Sequence, residues 1–308
     1  MQLASQPRPT TSYSPNVQET RRDVAWTLRV VTVVVAAVVT SCSGSATSVA
    51  HRPYTLHVPP SYRSGAHAPL IILLHGFGAN GDEQALYFGL AQVADAHGII
   101  FATPNGTTND QGKRFWNATD ACCAPSGSDV DDSQYLANVI QDVESRYSVD
   151  PRRVYVLGHS NGGFMAYRMA CDHADLVAAA VSFEGAMLNR IGDCTPAQPV
   201  SVLEVHGTGD TVISYNGGRA SPESPPYPSA AQTVHDWARL DHCSPTPVSL
   251  APRELVRGQP AALVSDYPGC AKGTDAQLWT IPGGGHAPGL NTTFTEQVVE
   301  FLLAHPKQ

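Results

Sequence analysis

Three residue types that together perform nucleophilic catalysis follow predicted strands in this sequence: Ser160, Asp210 and His286. Ser160 is the central residue of Gly158-His-Ser-Asn-Gly162, which follows an apolar run at 154–157 and precedes a helical pattern. A strand, a sharp turn and a helix in this order present the serine hydroxyl. A histidine can then take the serine proton during attack on an ester carbonyl, while an acid orients the imidazole and stabilises its cation. We therefore predict Ser160 as nucleophile, His286 as base and Asp210 as acid.

The residues around the serine predict the rest of a catalytic turn. Gly158 and Gly162 are needed if a strained turn packs closely against neighbouring backbone. The pentapeptide alone is only moderately specific, because a serine in a glycine-rich turn could simply cap the helix that begins near Asn161. In a catalytic turn, the oxyanion would be bound by the backbone N–H of Asn161 and by one from the loop after His75, which we place at Phe77.

The acid and the base each have an alternative reading. Asp210 could be a simple turn residue in Gly207-Thr-Gly-Asp210, and Glu184, after the preceding predicted strand, is a competing acid. We prefer Asp210 because its strand is better placed. His286 follows three glycines, and such a loop can bring it across to a serine. Three other histidines flank turns and are predicted to support the structure: His75, His159 and His206.

Residues 51–308 alternate between buried-strand and amphipathic helical patterns. The predicted strands are 54–58, 70–74, 98–103, 154–158, 176–182, 200–206 and 276–281, and the predicted helices are 82–96, 133–147, 161–171, 230–240 and 293–303. This alternation predicts an α/β protein with a doubly wound, mostly parallel sheet and helices on both faces, whose sites lie beyond the carboxyl ends of the strands. The chain order of serine, acid and histidine is that of α/β-hydrolases.

Two local details of this reading concern helix starts. Asp82 is the expected N-cap of helix 82–96, with Leu86, Leu90 and Val93 on one apolar face. The irregular segment 104–132 ends in an acidic cluster, Asp129, Asp131 and Asp132, which could bind calcium, although capping of the next helix by Asp131 or Asp132 is preferred. Long structured loops of this kind tend to line binding sites.

The N-terminus predicts export. Residues 1–20 are polar and expected to be disordered or removed, and three arginines then precede the apolar run Val30–Val39, which suits a secretory signal. Val39-Thr-Ser-Cys42 resembles a bacterial lipobox, in which case Cys42 carries the lipid and holds the protein on the outer face of the cell membrane. Alternatively, cleavage after Ser48-Val-Ala50 releases a soluble enzyme that begins at His51. We thus divide the chain into a targeting segment, 1–50, and one catalytic domain, 51–308.

The remaining cysteines predict disulfides, and the composition limits the kinds of partner. With Cys42 set aside, six of the seven cysteines can form three disulfides: Cys122, Cys123, Cys171, Cys194, Cys243 and Cys270. Cys243 and Cys270 bracket one loop-rich segment and are expected to pair, and the spacing does not favour a metal site. A formal net charge of −8 without a basic stripe argues against nucleic acid.

From about residue 51 onward, the chain resembles the secreted polyhydroxybutyrate depolymerases, feruloyl esterases and acetylxylan esterases of the first carbohydrate-esterase family, including mycobacterial lipoproteins. The matching motifs are His75-Gly76 with Asn80, Trp116-Asn117 followed by Cys122-Cys123, Asp131-Asp132, Arg153-Val-Tyr155, Gly158 to Gly163, His206 to Asp210, Tyr215 to Gly218 and Gly284 to His286. The resemblance implies an α/β-hydrolase without cofactor and with the triad named above. The family usually has a tryptophan shortly after the catalytic histidine, and Ala287-Pro-Gly289 lacks it.

The expected function is a secreted or membrane-tethered serine esterase that acts through an acyl-enzyme on short-chain, hydroxybutyrate-type, feruloyl or acetyl esters of small molecules or polymers. The alternatives are a non-catalytic envelope binding lipoprotein that keeps the fold, and an acyltransferase. The sequence shows no long apolar insertion that could form a lid, so an open cleft is expected. Feruloyl or hydroxybutyrate esters should be accepted if Trp116 or Trp279 lines that cleft.

Overall fold

The computed structural model describes residue 49 and residues 51–125 and 128–308. The predictions on residues 1–48 and on Ala50, including the export signal, the lipobox at Cys42 and the signal cleavage site, lie outside the described residues. The strands are β1 (Thr55–His57), β2 (Ala68–Leu74), β3 (Ile100–Thr103), β4 (Thr107–Thr108), β5 (Arg114–Phe115), β6 (Val149–His159), β7 (Ala179–Phe183), β8 (Ser201–Gly207), β9 (Gly218–Arg219), β10 (Pro226–Tyr227), β11 (Val248–Arg253), β12 (Ala262–Tyr267) and β13 (Ala276–Ile281). The helices are α1 (Gly81–Phe88), α2 (Leu90–His97), α3 (Asp132–Arg146), α4 (Asn161–Asp172), α5 (Ala230–Leu240) and α6 (Phe294–Ala304).

Nine of these strands form one sheet in the order β1-β3-β2-β6-β7-β8-β13-β12-β11. The six strands from β3 to β13 in that order are parallel to one another. The edge strand β1 and the pair β12 and β11 run antiparallel to their neighbours. The prediction of a mostly parallel sheet is therefore confirmed.

Hydrophobic cores cover both faces of the sheet. On β2, Leu70 and Ile72 belong to one core, whereas Ile71 and Leu73 belong to the other, because successive side chains of a strand point to opposite faces. The first core includes buried residues of α3, α4 and α5, and the second includes those of α1, α2 and α6. This is the doubly wound arrangement, and it leaves the carboxyl ends of the strands free for a site.

The region predicted as one helix, 82–96, consists of two. Gly89 takes a left-handed conformation with φ of 62° and ends α1, and α2 then starts at Leu90. The N-cap is Asn80, whose side chain accepts a hydrogen bond from the N–H of Glu83 at 2.9 Å, and not Asp82 as predicted. Leu86 is 83% exposed, so its expected place on the buried face is also wrong. The break at Gly89 changes the helical phase, which a single 3.6-residue period cannot follow.

The segment between Cys243 and Cys270, predicted as loop-rich, contains two strands. β11 and β12 extend the sheet beyond β13. The side chains of β11 are exposed along nearly its whole length, so the strand has no alternation of apolar residues that a sequence pattern could reveal.

Three disulfides are present in the described part of the chain: Cys122–Cys123, Cys171–Cys194 and Cys243–Cys270. The last of these confirms the predicted pair. Within the described residues, no helix is both long and apolar enough to cross a membrane.

Candidate active site

The turn after β6 places Ser160 under backbone strain. Ser160 has φ of 55° and ψ of −121°, a region that residues with a side chain rarely adopt. A Cβ at Gly158 would lie 1.9 Å from the carbonyl oxygen of Gly162, and a Cβ at Gly162 would lie 2.4 Å from that of Leu74. Only glycine fits at these two positions, because the backbone of the turn packs directly against the backbone of α4 and β2. A strained turn of this kind fixes the direction of the serine hydroxyl.

The structure brings Ser160, His286 and Asp210 into one hydrogen-bonded row. Nε2 of His286 is 2.8 Å from Oγ of Ser160, and its Nδ1 is 2.7 Å from Oδ2 of Asp210. The other carboxylate oxygen of Asp210 accepts the N–H groups of Val212 and Ile213 at 2.8 and 3.0 Å. An ionised Asp210 keeps the proton on Nδ1 of His286, so that Nε2 can accept the serine proton.

Glu184 lies beside this row but further from the base. Its Oε2 is 3.5 Å from Nδ1 of His286, against 2.7 Å for Asp210. Burial raises the pKa of Glu184 to about 9, since a buried carboxyl group loses its hydration. Burial would also raise the pKa of Asp210, but hydrogen bonds from His206 and His286 outweigh it and lower that pKa below its ordinary value. The geometry thus favours Asp210 as the acid.

A second histidine, His206, is buried and lies beside Asp210. Nε2 of His206 donates to the carbonyl oxygen of Ile213 at 2.8 Å and lies 3.5 Å from Oδ2 of Asp210, while Nδ1 is 2.9 Å from Oε1 of Glu204. Burial lowers the pKa of His206, but its hydrogen bonds with Asp210 and Glu204 outweigh this and raise the pKa to about 10. These two hydrogen-bond partners thus favour the protonated form of His206. Sequence reasoning placed His206 near a turn and missed Glu204, because one glutamate inside an apolar strand pattern gives no signal of a partner.

The two predicted oxyanion donors flank the serine. Neither the backbone N–H of Phe77 nor that of Asn161 has a hydrogen-bond acceptor among the described residues. Asn161 is the first residue of α4, where a backbone N–H has no partner within the helix. A Cβ at Gly76 would lie 3.4 Å from Cβ of Ser160, so the loop that carries Phe77 passes directly beside the serine. These two N–H groups can act as the oxyanion donors.

Buried side chains fix the loop that carries Phe77. Nδ1 of His75 donates to the carbonyl oxygen of Gly76 at 2.8 Å, and its Nε2 accepts the N–H of Gly106 at 2.9 Å. Burial lowers the pKa of His75 to about 4, so the ring is neutral and this tautomer is fixed. Nε1 of Trp116 donates to the carbonyl oxygen of His75 at 2.9 Å. The prediction that His75 is structural agrees with these contacts.

Asn161 also links this loop to α4 through its side chain. Its Oδ1 accepts the N–H of Trp116 at 2.7 Å, and its Nδ2 donates to the carbonyl oxygen of Trp116 at 3.0 Å. Sequence reasoning used only the backbone of Asn161, because nothing in the pattern showed which segment its amide would meet.

An open cleft leads to Ser160. It has a volume of about 530 Å³, and its lining includes Phe77, Val212, Ile213 and the disulfide Cys122–Cys123. Phe77 is 44% exposed. The two tryptophans proposed as cleft walls are fully buried instead. Trp116 is used in the contacts with His75 and Asn161, and Trp279 donates to Oε1 of Gln277 at 3.0 Å and packs under Arg253. The condition that we set on Trp116 or Trp279 for feruloyl and hydroxybutyrate esters is therefore not met.

The acidic cluster at 129–132 has structural partners. Oδ1 of Asp131 accepts the N–H of Gln134 at 2.9 Å and caps α3, as one of the two predicted caps. Asp132 is buried and lies 2.6 Å from the guanidinium of Arg52. These contacts give Asp131 and Asp132 structural roles.

Among the described residues, one group is close enough to hold a metal ion, namely His159, Glu184 and His286. The atom of His286 nearest Glu184 is Nδ1, which already contacts Asp210. A cation bound there would separate the base from its acid.

Similarity to known proteins identifies the family of the chain. The family model described as esterase PHB depolymerase matches residues 52–214, more than half of the chain. Feruloyl esterase B of Piromyces equi is 30% identical over 82% of this chain, and the match spans 46% of that protein. Feruloyl esterase D of Neurospora crassa is 26% identical over 77% of this chain and 74% of its own length.

The solved structures show the fold. An acetyl xylan esterase from Aspergillus awamori superimposes with a TM-score of 0.55 at 18% identity, over 81% of this chain and 93% of that one. Esterase PE8 gives a TM-score of 0.52 at 18% identity, over 82% of this chain and 98% of that one. The predicted α/β-hydrolase fold is confirmed. The chain belongs to the esterase PHB depolymerase family, a family of carboxylic-ester hydrolases.

Proposed function

We propose that the protein is a serine esterase that hydrolyses esters through an acyl-enzyme on Ser160. The observation that carries this proposal is the unbroken row Ser160, His286 and Asp210, with contacts of 2.8 and 2.7 Å. Beside it lie two backbone N–H groups that have no acceptor within the described ranges. No metal or organic cofactor has a part in the proposed reaction.

Each group has one role in the reaction. His286 Nε2 removes the proton of Ser160 as Oγ attacks the ester carbonyl, and Asp210 stabilises the imidazolium that forms. The N–H groups of Phe77 and Asn161 bind the oxyanion. His286 then protonates the leaving alcohol, which leaves the acyl group on Ser160. A water molecule, deprotonated by the same imidazole, releases the acid and restores the serine.

The cleft supports a preference for short acyl groups or for the exposed ester of a polymer. A long acyl chain must leave water to bind well, at about 0.8 kcal/mol for each methylene, and this needs a covered apolar trough. The cleft at Ser160 is open and mixes apolar residues such as Val212 with polar ones such as Ser221 and Glu223. Feruloyl, acetyl and hydroxybutyrate esters remain candidates through the relatives, without help from Trp116 or Trp279.

Hydrolysis of p-nitrophenyl esters from acetyl to palmitoyl tests the proposal. We expect kcat/KM to be highest between acetyl and butyryl and to fall beyond about eight carbons. Ser160→Ala should remove nearly all of this activity. A steady rise towards palmitoyl would contradict the open cleft. Inactivity of the wild-type protein on all these esters would favour the binding lipoprotein, and transfer to an added alcohol in place of water would favour the acyltransferase.

The location of the enzyme is also a proposal. Three disulfides in the described residues support an oxidising compartment, and the apolar run before Cys42 supports export. We propose that the mature chain carries a lipid on Cys42 and is held on the outer face of the cell membrane. Mass spectrometry of the mature N-terminus should show an acylated Cys42, whereas a soluble chain that begins at His51 would contradict the anchor.

A further inference from the structure

Two structural features of Glu184 are each energetically unfavourable. It is a non-glycine residue with a left-handed backbone, φ 58°, and its carboxyl group is completely buried. Neither carboxyl oxygen has a hydrogen bond that meets ordinary geometry among the described residues. A buried polar group without a full hydrogen bond and a strained backbone each destabilise a fold. Their coincidence at the carboxyl end of β7 calls for a role that the triad does not include.

The surroundings of the carboxyl group indicate that role. β7 lies between β6, which ends at His159, and β8, so Glu184 emerges directly between the serine turn and the acid turn. Its Oε2 is 3.5 Å from Nε2 of His159 and 3.5 Å from Nδ1 of His286. Nε2 of His159 is 2.9 Å from the carbonyl oxygen of His286, and Nδ1 of His286 is 2.7 Å from Oδ2 of Asp210. Because a carbonyl oxygen only accepts, Nε2 of His159 carries a hydrogen. Oε2 of Glu184 thus faces two N–H groups, each of which donates to a nearer oxygen.

His159 holds the backbone of the catalytic histidine. The loop before His286 contains Gly283, Gly284 and Gly285, which have no side chains to pack, so its position depends on hydrogen bonds to its backbone. The bond from His159 to the carbonyl oxygen of His286 is one of these. The imidazole of His159 is itself fixed, since its centre lies 5.2 Å from that of Phe183 and 5.6 Å from that of Tyr87.

We propose that His159 and Glu184 are positioning residues for His286. His159 holds the backbone carbonyl of His286, and the carboxyl group of Glu184 lies against the N–H groups of both histidines and keeps them aligned. The dipeptide His159-Ser160 then contacts His286 at two atoms, its carbonyl oxygen and its Nε2. This inference rests on the proposed function, in which His286 is the base.

The charges around Glu184 agree with an uncharged carboxyl group. Burial raises its pKa to about 9, so the carboxyl group is protonated at pH 7. The titratable groups that face it are Tyr87, His159, His206, His286, Glu204 and Asp210. Asp210 then remains the single carboxylate in contact with Nδ1 of His286. Burial also lowers the pKa of His159, which keeps its imidazole neutral.

Two matched pairs of variants test the proposal with p-nitrophenyl acetate. Glu184→Gln keeps a neutral polar group, whereas Glu184→Met has a similar length and none. His159→Gln keeps an N–H donor, whereas His159→Phe keeps only the aromatic packing. We expect kcat to fall about threefold in both glutamine variants and about thirtyfold or more in Glu184→Met and His159→Phe, with KM within about twofold of wild type throughout. Wild-type kcat in Glu184→Met or His159→Phe would overturn the proposal. An equal loss in Glu184→Gln and Glu184→Met would also overturn it, since it would show that the negative charge is what matters.

Two controls separate this proposal from its alternatives. Asp241→Asn alters a buried carboxyl group at the opposite end of the sheet and should leave kcat unchanged. If Glu184→Met does not fold, as judged by thermal melting, the His159 pair decides the question. Undiminished activity in Ser160→Ala would refute the proposed function itself. Loss of activity in Ser160→Ala together with wild-type kcat in His159→Phe would refute only the positioning role.

Discussion

The two ends of the parallel sheet both bury a carboxyl group, yet they use it differently. At the carboxyl end, Glu184 has a left-handed backbone and faces two histidines. At the opposite end, Asp241 follows α5 with ordinary backbone angles, φ −85° and ψ 6°, and accepts the N–H of Val200 at 3.4 Å. Burial raises the pKa of both groups, to about 9 for Glu184 and about 7 for Asp241.

The difference shows which features distinguish a candidate site from a structural buried acid. Burial and a raised pKa occur at both ends of the sheet, so neither is sufficient. Three features occur together at the carboxyl end: strained backbone at Ser160 and Glu184, histidine contacts, and backbone N–H groups without an acceptor in the part of the chain that the structure describes. A site is therefore inferred from the combination and not from one shifted pKa.

The largest expected contrast is in activity between Asp210→Asn and Asp241→Asn. In Asp210→Asn the amide would favour the wrong tautomer of His286, and kcat should fall about 10⁴-fold. Asp241→Asn should change kcat by less than about twofold. Steady-state kinetics on p-nitrophenyl acetate measures both. A larger loss in Glu184→Gln than in Asp210→Asn would reassign the acid to Glu184.

A second contrast concerns glycines. In Gly162→Ala the new Cβ would lie 2.4 Å from the carbonyl oxygen of Leu74, whereas in Gly192→Ala it would meet nothing within 4 Å. We expect the first change to lower the free energy of unfolding by about 3 kcal/mol or to prevent folding, and the second to have little effect. Urea denaturation of the two variants gives the comparison. Equal stability would show that the turn can relax and is not tightly held.

The smallest expected effect concerns the pH dependence of stability, for which each of the two buried carboxyl groups has its own pH range. A carboxyl group whose pKa is higher in the folded state binds its proton more tightly there, so its contribution falls as pH rises from the unfolded to the folded pKa. For Asp241 this window runs from 3.8 to about 7, and for Glu184 from 4.5 to about 9. The Tm of Asp241→Asn relative to wild type should rise up to pH 7 and then level off, whereas that of Glu184→Gln should keep rising to about pH 9. Identical windows would contradict the separate environments of the two groups.

The comparison also explains which features the sequence could predict. The order of strands and helices follows from buried runs and amphipathic periods, and α5 and β13 agree with their predicted bounds. The contacts of Trp116, Asn161 and Glu204 could not be predicted, because they join segments far apart in the chain and no local pattern specifies their partners. β11 was missed because an exposed edge strand has no buried face to impose a period.

The central claim is that Ser160 is the nucleophile, and covalent labelling tests it most directly. A serine-directed aryl phosphonate should inactivate the protein with one equivalent bound and release one equivalent of phenol. Mass spectrometry of the digest should place the phosphonyl group on Ser160, and Ser160→Ala should remain unlabelled. An adduct on another residue, or equal labelling of Ser160→Ala, would contradict the account.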